Sequence, residues 1–402
     1  MTKDIAIVGA GIGGLAAAIL CAGEGHRPVL FERFDHPRPV GSGLVIQPVG
    51  LAVLDILGAG EQARALSSPV QHMLGHEAKS GRRILDVSYP AGAPGRAFHR
   101  SSLFDLLWQQ VAAKAIPVIT SAIITDAPLT GAKRMLHLKD GRREGPFDLI
   151  IDASGSRSPL SPLKARPLNF GALWASVPWP DATNLPRTEL RQCYRRADHM
   201  AGILPIGHLP DDPTPMAAVF WSLPAKSIPD WSDRPFDAWR DQVMAFWPET
   251  RPFLANLARG ALTPATYTHG TLRRPYAEAL VHIGDAAHRA SPQLGQGANM
   301  ALLDACALAL ALRQPLHEAL PAYAQMRRWH IRSYQMMSAA FTPMYQSHSR
   351  ALPLLRDHLL APTARLPGIR QILTHLVAGT LLPPIAGEHF PDPRPELLPE
   401  AA

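Results

Sequence analysis

The feature that most constrains this chain is a glycine turn set between a strand and a helix. Residues 4–9 (DIAIVG) read as a short buried parallel strand, apolar and β-branched, ended by glycine. Residues 12–22 read as a helix of small apolar residues, and residues 28–31 (PVLF) as a second short strand. Between the first two lies Gly9-Ala10-Gly11-Ile12-Gly13-Gly14, which fits G-x-G-x-x-G. In that register Gly9 allows the tight turn. Gly11 lets backbone N–H groups approach a pyrophosphate, and Gly14 lets the helix pack closely on the strand. The positive end of the helix then faces the phosphates. Glu32 stands at the end of the second strand, where its carboxylate can accept from a ribose 2′-OH and would repel a 2′-phosphate. A βαβ opening with these parts predicts an α/β fold and an adenine dinucleotide. It does not choose between NAD and FAD.

Further along, helices are expected over residues 51–66 and 101–114, the latter capped by Ser101 or Ser102. Strands are expected over 116–125, 135–138 and 147–151 (FDLII). From about 169 to 268 the texture changes to alternating strand-like pieces (171–177, 191–194, 200–206 and 217–223) joined by proline-rich loops. This predicts a mostly antiparallel sheet inserted as a second domain. A buried strand returns at 279–283 (ALVHI), followed by a long apolar helix over 297–313 and a helical tail with proline breaks.

A second motif decides the cofactor. Gly284-Asp285-Ala286-Ala287-His288 follows the strand at 279–283 and is continued by Pro292, Gly295-Gln296-Gly297, Asn299 and Asp304. This pattern resembles the GDAAH…P…GQGxN signature of the FAD-dependent aromatic hydroxylases, the para-hydroxybenzoate hydroxylase-like monooxygenases. The physics agrees with it. Gly284 lets backbone approach a ribityl chain, and Asp285 can accept from its hydroxyls. The helix opening at 297 points its positive end at the flavin edge that becomes anionic on reduction. The resemblance spans roughly residues 4–340. It implies a cofactor-binding set of Gly9, Gly11, Ile12, Gly13, Gly14, Glu32, Arg33, Gly43, Arg100, Asp285, Pro292, Gly295, Gly297, Ala298 and Asn299. Residues 41–48 (GSGLVIQP) resemble the family loop beside the flavin, with Val49 where asparagine is common. At residues 152–155 (DASG) the family has Ala-Asp-Gly, so Ser154 replaces a carboxylate tied to nicotinamide handling, and the site is expected to lose a charge.

The resemblance implies a discontinuous Rossmann-like FAD-binding domain (1–75, 99–168 and 269–340). With it come an inserted antiparallel substrate sheet (76–98 and 169–268) and a helical tail (341–402). It implies NAD(P)H as co-substrate, dioxygen adding at flavin C4a to give a hydroperoxide, and transfer of one oxygen atom to an electron-rich aromatic ring while water is excluded. Trp174, Ile203, Leu204, Phe220 and Trp221 suit an apolar substrate wall. Arg191, Arg195 and Arg196 are candidates to hold a substrate carboxylate. No catalytic side chain is assigned. The alternatives on the same residues are another FAD-dependent oxidation (N-hydroxylation, epoxidation, an oxidase) or a flavin-binding protein without turnover.

Composition removes other classes. The net charge of +7 is not gathered into a basic block, so no nucleic-acid partner is expected. Three cysteines far apart in sequence offer neither a disulfide framework nor zinc spacing, and the histidines show no metal pattern, so no metal is expected and a reducing cytoplasm fits. No apolar run is long enough to span a bilayer. Residues 369–385 are apolar enough either to dock on the protein or to lie on a membrane surface, and docking is the expectation.

Overall fold

A computed structural model of the chain describes residues 1–36 and 42–391. Gly41, at the start of the proposed flavin-side loop, and the end of the tail lie outside the described residues. The centre of the first sheet is Asp4–Val8, paired in parallel with Leu149–Asp152 on one side and Arg27–Phe31 on the other. Leu280–His282 and Val118–Ile119 extend it in parallel, and Tyr276–Ala277 closes one edge antiparallel. These strands read as continuous apolar runs because both faces are covered. One face packs on the helices Ile12–Gly23, Arg100–Ala113 and Gly297–Ala311 through Ile5, Ile7, Leu149 and Ile151. The other packs through Ala6, Val8 and Ile150 on a small sheet built around Lys133–Leu138.

Several elements differ from expectation for local reasons. The helix expected over 51–66 is two, Pro48–Ile56 and Gly60–Leu66, because the chain turns at Gly58 with φ +74°. The strand expected over 116–125 is Val118–Ile119 and Ile124–Asp126, divided at Ser121 (φ +52°) as the chain leaves one sheet for another. Phe147 ends the strand Arg143–Phe147 and is not part of the parallel strand. The helix Arg100–Ala113 is capped by His99, whose Nδ1 accepts from the Ser101 amide at 3.3 Å, and not by either serine. Leu316–Tyr345 runs as one helix through Pro321 and Pro343, so the expected proline breaks come only after it.

The second sheet has eight strands in the order His288–Arg289, Thr263–Thr271, Arg166–Pro178, Met216–Pro224, His199–Pro205, Glu189–Arg195, His72–Glu77 and Arg83–Ser88. Its pairings are antiparallel except for Glu189–Arg195 with His72–Glu77, which is parallel. The strands His72–Glu77, Arg166–Pro178 and Thr263–Thr271 run across the segment limits expected at 75, 168 and 268. A three-stranded seam (Gly43–Ile46, Gly95–His99, Ser68–Val70) packs with residues of both large sheets.

Side chains alternate across the second sheet, and register assigns them to faces. Ile203 and Trp221 pack with Trp231, Trp239 and Trp247 under the helix Phe236–Phe246. Trp174, Leu204 and Phe220 point the other way, where Leu204 meets Ile206, Ala218 and Tyr89. The proposed five-residue wall is therefore split, with Ile203 and Trp221 on the closed face. Arg191 pairs in register with Ile203 and is ion-paired to Glu189, while Arg195 meets Asp198 and His199. Neither lies among the residues of the face that carries Trp174, Leu204 and Phe220.

Trp247 is almost wholly buried at the back of this sheet. Trp247→Ala should cost about 3–5 kcal/mol through the cavity left behind. A urea titration should show this loss, with the flavin content of the folded fraction unchanged.

Candidate functional site

The segments singled out in the sequence meet at one edge of the parallel sheet, beyond the C-terminal ends of its strands. The glycine turn follows Asp4–Val8, Glu32 follows Arg27–Phe31, Ser154 follows Leu149–Asp152, and Asp285 follows Leu280–His282. That edge is where open α/β sheets bind ligands. A depression lined by Asp4, His26, Arg27 and Phe147 lies at the opposite end of the strands and shares no residue with it.

Gly9 has φ +102°, and a Cβ there would lie 2.8 Å from the Ala153 carbonyl oxygen. A Cβ on Gly14 would overlap the Gly9 carbonyl. Gly11 instead faces open space, as does Gly297. The Leu15 amide makes a bond to Gly11 O at 2.9 Å, so the amides of Ile12, Gly13 and Gly14 precede the ladder of their helix. At the second helix the Met300 amide bonds Gln296 O at 2.8 Å, and those of Gly297, Ala298 and Asn299 precede it. The two helix ends are neighbours: a Cβ on Gly13 or on Gly284 would come 3.1 Å from Ala301 Cβ.

Glu32 is buried and braces the turn, accepting from the Ala10 amide at 2.8 Å and the Phe34 amide at 3.1 Å. A carboxylate so engaged still has lone pairs for a ribose hydroxyl. Asp285 is reachable by solvent but walled by protein. Burial pushes its pKa up, against the charges of His288, Arg100 and Arg289. Burial likewise lowers the pKa of Arg100, with Asp285 opposing, and Arg100 Nε is buried without a hydrogen-bond partner. Buried polar groups left in this state are costly unless a ligand satisfies them. A cofactor carrying phosphates, hydroxyls and a polar ring edge supplies such groups, so this donor set fits FAD.

The remaining expected residues make the following contacts within the chain. The Asn299 side chain accepts from the Gln47 amide at 2.7 Å and donates to Val45 O (3.2 Å) and Gly295 O (3.0 Å), clipping the strand Gly43–Ile46 to the helix. Gly295 (φ +60°) ends the turn Pro292–Leu294. Gly43 is pressed against Ile206 and Ala218 of the second sheet. Arg33 is exposed, its guanidinium 4.6 Å from the Phe34 ring centroid. Val49 packs against Gly379 of the tail.

The charge expected to be lost at Ser154 is present two residues earlier. Asp152 is fully buried and accepts from Ser154 Oγ (2.5 Å), Ser158 Oγ (2.6 Å) and His282 Nδ1 (2.7 Å). Burial acts to raise its pKa, but these bonds outweigh it and hold the carboxyl below the usual range.

A second network was not legible in the sequence beyond Asp304 itself. Asp304 is fully buried and accepts from the Gly284 amide (2.9 Å), His288 Nε2 (2.6 Å) and Arg327 Nε (2.8 Å). Burial works to raise its pKa, yet the charges and bonds of His288 and Arg327 hold it at about 2. Arg327 Nη1 also donates to Pro384 O and lies 3.3 Å from His330 Nδ1, and His330 Nε2 lies 3.0 Å from Gly379 O. No local motif marks Arg327 or His330 within the helix Leu316–Tyr345.

Residues 236–336 match the family model described as FAD binding domain, and residues 7–42 match that of the NAD(P)-binding Rossmann-like domain. The chain is 24% identical over 351 residues to 3-hydroxybenzoate 6-hydroxylase of Klebsiella oxytoca, covering 79% of this chain and 82% of that protein. It is 26% identical over 394 residues to 6-methylpretetramide 4-monooxygenase of Streptomyces rimosus, covering 94% and 92%. The chain carries an FAD binding domain, and the relatives it resembles are FAD-dependent aromatic hydroxylases. In fold, the hydroxylase resembles Klebsiella pneumoniae HpxO crystallised with FAD and uric acid, with a TM-score of 0.76 and 19% identity over 92% of this chain and 96% of that one. A variant of 2-methyl-3-hydroxypyridine-5-carboxylic acid oxygenase gives a TM-score of 0.75 at 21% identity, covering 92% and 96%. The hydroxylase is thus an FAD-dependent oxidoreductase with NAD(P)H as reductant.

The His330 network makes stability depend on pH. Burial first, then the Arg327 charge, lowers the His330 pKa from 6.5 to about 3. As pH falls below 6.5 the unfolded chain takes up a proton that the folded imidazole refuses. Stability present above pH 6.5 is therefore lost progressively toward pH 3. Between pH 6.5 and 4.5 the loss should be about 2–3 kcal/mol. Denaturant midpoints across this range should fall in the parent protein and fall less steeply in His330→Gln.

Proposed function

We propose that this hydroxylase inserts one atom of dioxygen into a flat, largely apolar aromatic substrate activated by a hydroxyl or amino group. The observation that carries the reading is the arrangement of the site. Two helix N-termini and the Arg100–Asp285 pair stand at the sheet edge, and the second sheet presents an aromatic, apolar face.

Bound FAD, once reduced by NAD(P)H, supplies the activation of dioxygen; the protein supplies binding, orientation and exclusion of water. The amides at Ile12, Gly13 and Gly14 hold the pyrophosphate, with Gly9 and Gly11 shaping the turn and Glu32 at the ribose. Asp285 accepts from the ribityl hydroxyls, and Arg100 contributes its cation. The amides of Gly297, Ala298 and Asn299 stabilise negative charge on the flavin edge, and Pro292 and Gly295 shape their approach. Arg33 and Gly43 complete the proposed set from the flanking loop. The flavin-binding part is built from segments on both sides of the second sheet in sequence.

On the substrate side, the Trp174 and Phe220 rings lie 4.7 Å apart. Tyr267 Oη accepts from Trp174 Nε1 at 2.8 Å. Burial raises the Tyr267 pKa to about 12; like any tyrosine at neutral pH it holds its phenolic proton, which is available to a substrate oxygen.

Purified protein should release FAD on denaturation. Asp285→Ala should weaken FAD binding by about 10–100-fold, the worth of a charged acceptor, as read by fluorescence quenching. Aerobic turnover with NAD(P)H and labelled dioxygen should place one labelled atom in the product, and substrate should accelerate flavin reduction. Oxygen consumption that yields only hydrogen peroxide across phenols, anilines and quinolones would replace the hydroxylase reading with an oxidase.

A further inference from the structure

The tail carries an outer surface that the fold leaves uncovered. Pro367–Ala378 is anchored by its inner face: Leu376, Val377 and Ala378 are buried, and Tyr334 Oη donates to Leu376 O at 2.6 Å. Leu373 and Val377 pack with Val70, Val87, Tyr89 and Leu204. Away from that inner face, aliphatic side chains of this helix and of the helical turns before it are exposed. Leu354, Leu355, Leu359, Leu366, Ile369 and Ile372 are all exposed, with Leu354 59%, Leu366 54% and Ile372 53% accessible. Trp329 and Met336 are also exposed, on the helix Leu316–Tyr345 whose Tyr334 and Met337 pack with Leu376 and Leu373 of the tail, while Ile56, Ile123 and Leu129 belong to other segments.

The charge of this surface has one sign. Between residues 350 and 378 the sole acid is Asp357. It is turned inward and ion-paired with Arg356 and Arg82. Arg350, Arg365 and Arg370 remain exposed beside the aliphatic side chains. A helix docked by one face, with leucine and isoleucine outward and arginines flanking them, has the character of an interfacial helix. Arginine stems lie along apolar surface while their heads reach anionic groups. Protein interfaces favour aromatic and methionine anchors, which this stretch lacks.

We propose that residues 354–372 form a docking surface for an anionic lipid bilayer, on which the folded hydroxylase rests peripherally. Among the described residues no helix is long and apolar enough to cross a membrane, so the contact is with one leaflet. The anchored side of the same helix touches Leu204 of the second sheet, which sets the apolar face of that sheet close to the bilayer.

The test is co-sedimentation of the FAD-loaded protein with vesicles of phosphatidylglycerol and phosphatidylcholine, against vesicles of phosphatidylcholine alone. Partition should favour the anionic vesicles at least tenfold and fall in high salt. Arg365→Glu with Arg370→Glu should lower it about tenfold or more, and so should Ile369→Asp with Ile372→Asp. All these side chains are exposed, so flavin content and melting temperature should stay as in the parent. Equal partition to both vesicle types, or partition unchanged in both variants, overturns the proposal. So does light scattering that shows a stable dimer in the parent and monomers in the variants, since the face then belongs to a second copy of the chain.

Discussion

Asp304 receives hydrogen bonds from three groups at once: the Gly284 amide and His288 of the flavin motif, and Arg327 from the long helix Leu316–Tyr345. None of these groups has an alternative in water, because carboxylate and guanidinium are both buried. Removing one partner from such a pair leaves a buried charge unmatched, which costs about 3–5 kcal/mol. The flavin bed inherits its geometry from this joint. The Gly284 amide is held on the helix whose first turn faces the cleft, and Ala301 of that helix spaces Gly284 and Gly13 together. The glycine turn, the Asp285 loop and the second helix end are one assembly because a single carboxylate holds two of them and close packing holds the third.

The second dependence is between flavin bed and substrate face. Asn299 ties the strand Gly43–Ile46 to the start of the helix Gly297–Ala311. Gly43 has no room for a side chain against Ile206 and Ala218, and Ser42 Oγ lies 2.8 Å from Ser176 Oγ of the second sheet. The seam strand thus touches both sides of the cleft. Distances in the site are set by backbone clamps and tight glycine contacts, which hold reacting groups more closely than mobile side chains do.

What could be read from the sequence follows the range of the forces involved. The βαβ opening was legible because the turn at Gly9, the helix end at Ile12 and Glu32 act within one supersecondary unit. The motif from Gly284 to Asn299 was legible as a resemblance, and the structure brings its parts to the sheet edge. The face of each strand in the second sheet was not legible. Ile203 and Leu204 are neighbours in sequence and opposite in space, and only cross-strand register says which is which. Asn299 is expected at the cofactor; that its side chain also binds backbone groups about 250 residues away in sequence was not legible. The role of Asp152 was not legible, because the partners Ser158 and His282 that fix it with Ser154 lie outside the local motif. Arg327 and His330 carry no local signature, since their partners Asp304, Pro384 and Gly379 come from other segments.

The bond from Arg327 to Pro384 O and the contact of His330 with Gly379 O also set an order in time. Synthesis proceeds from the N-terminus, and domains commonly fold as they emerge. Here the first strand and the glycine turn are made well before their partner strands Leu149–Asp152 and Leu280–His282. The buried guanidinium that steadies Asp304 lacks one of its acceptors until Pro384 has left the ribosome. The joint at Asp304 therefore draws on segments far apart in the chain, and its full set of partners is complete only once the segment with Pro384 is in place.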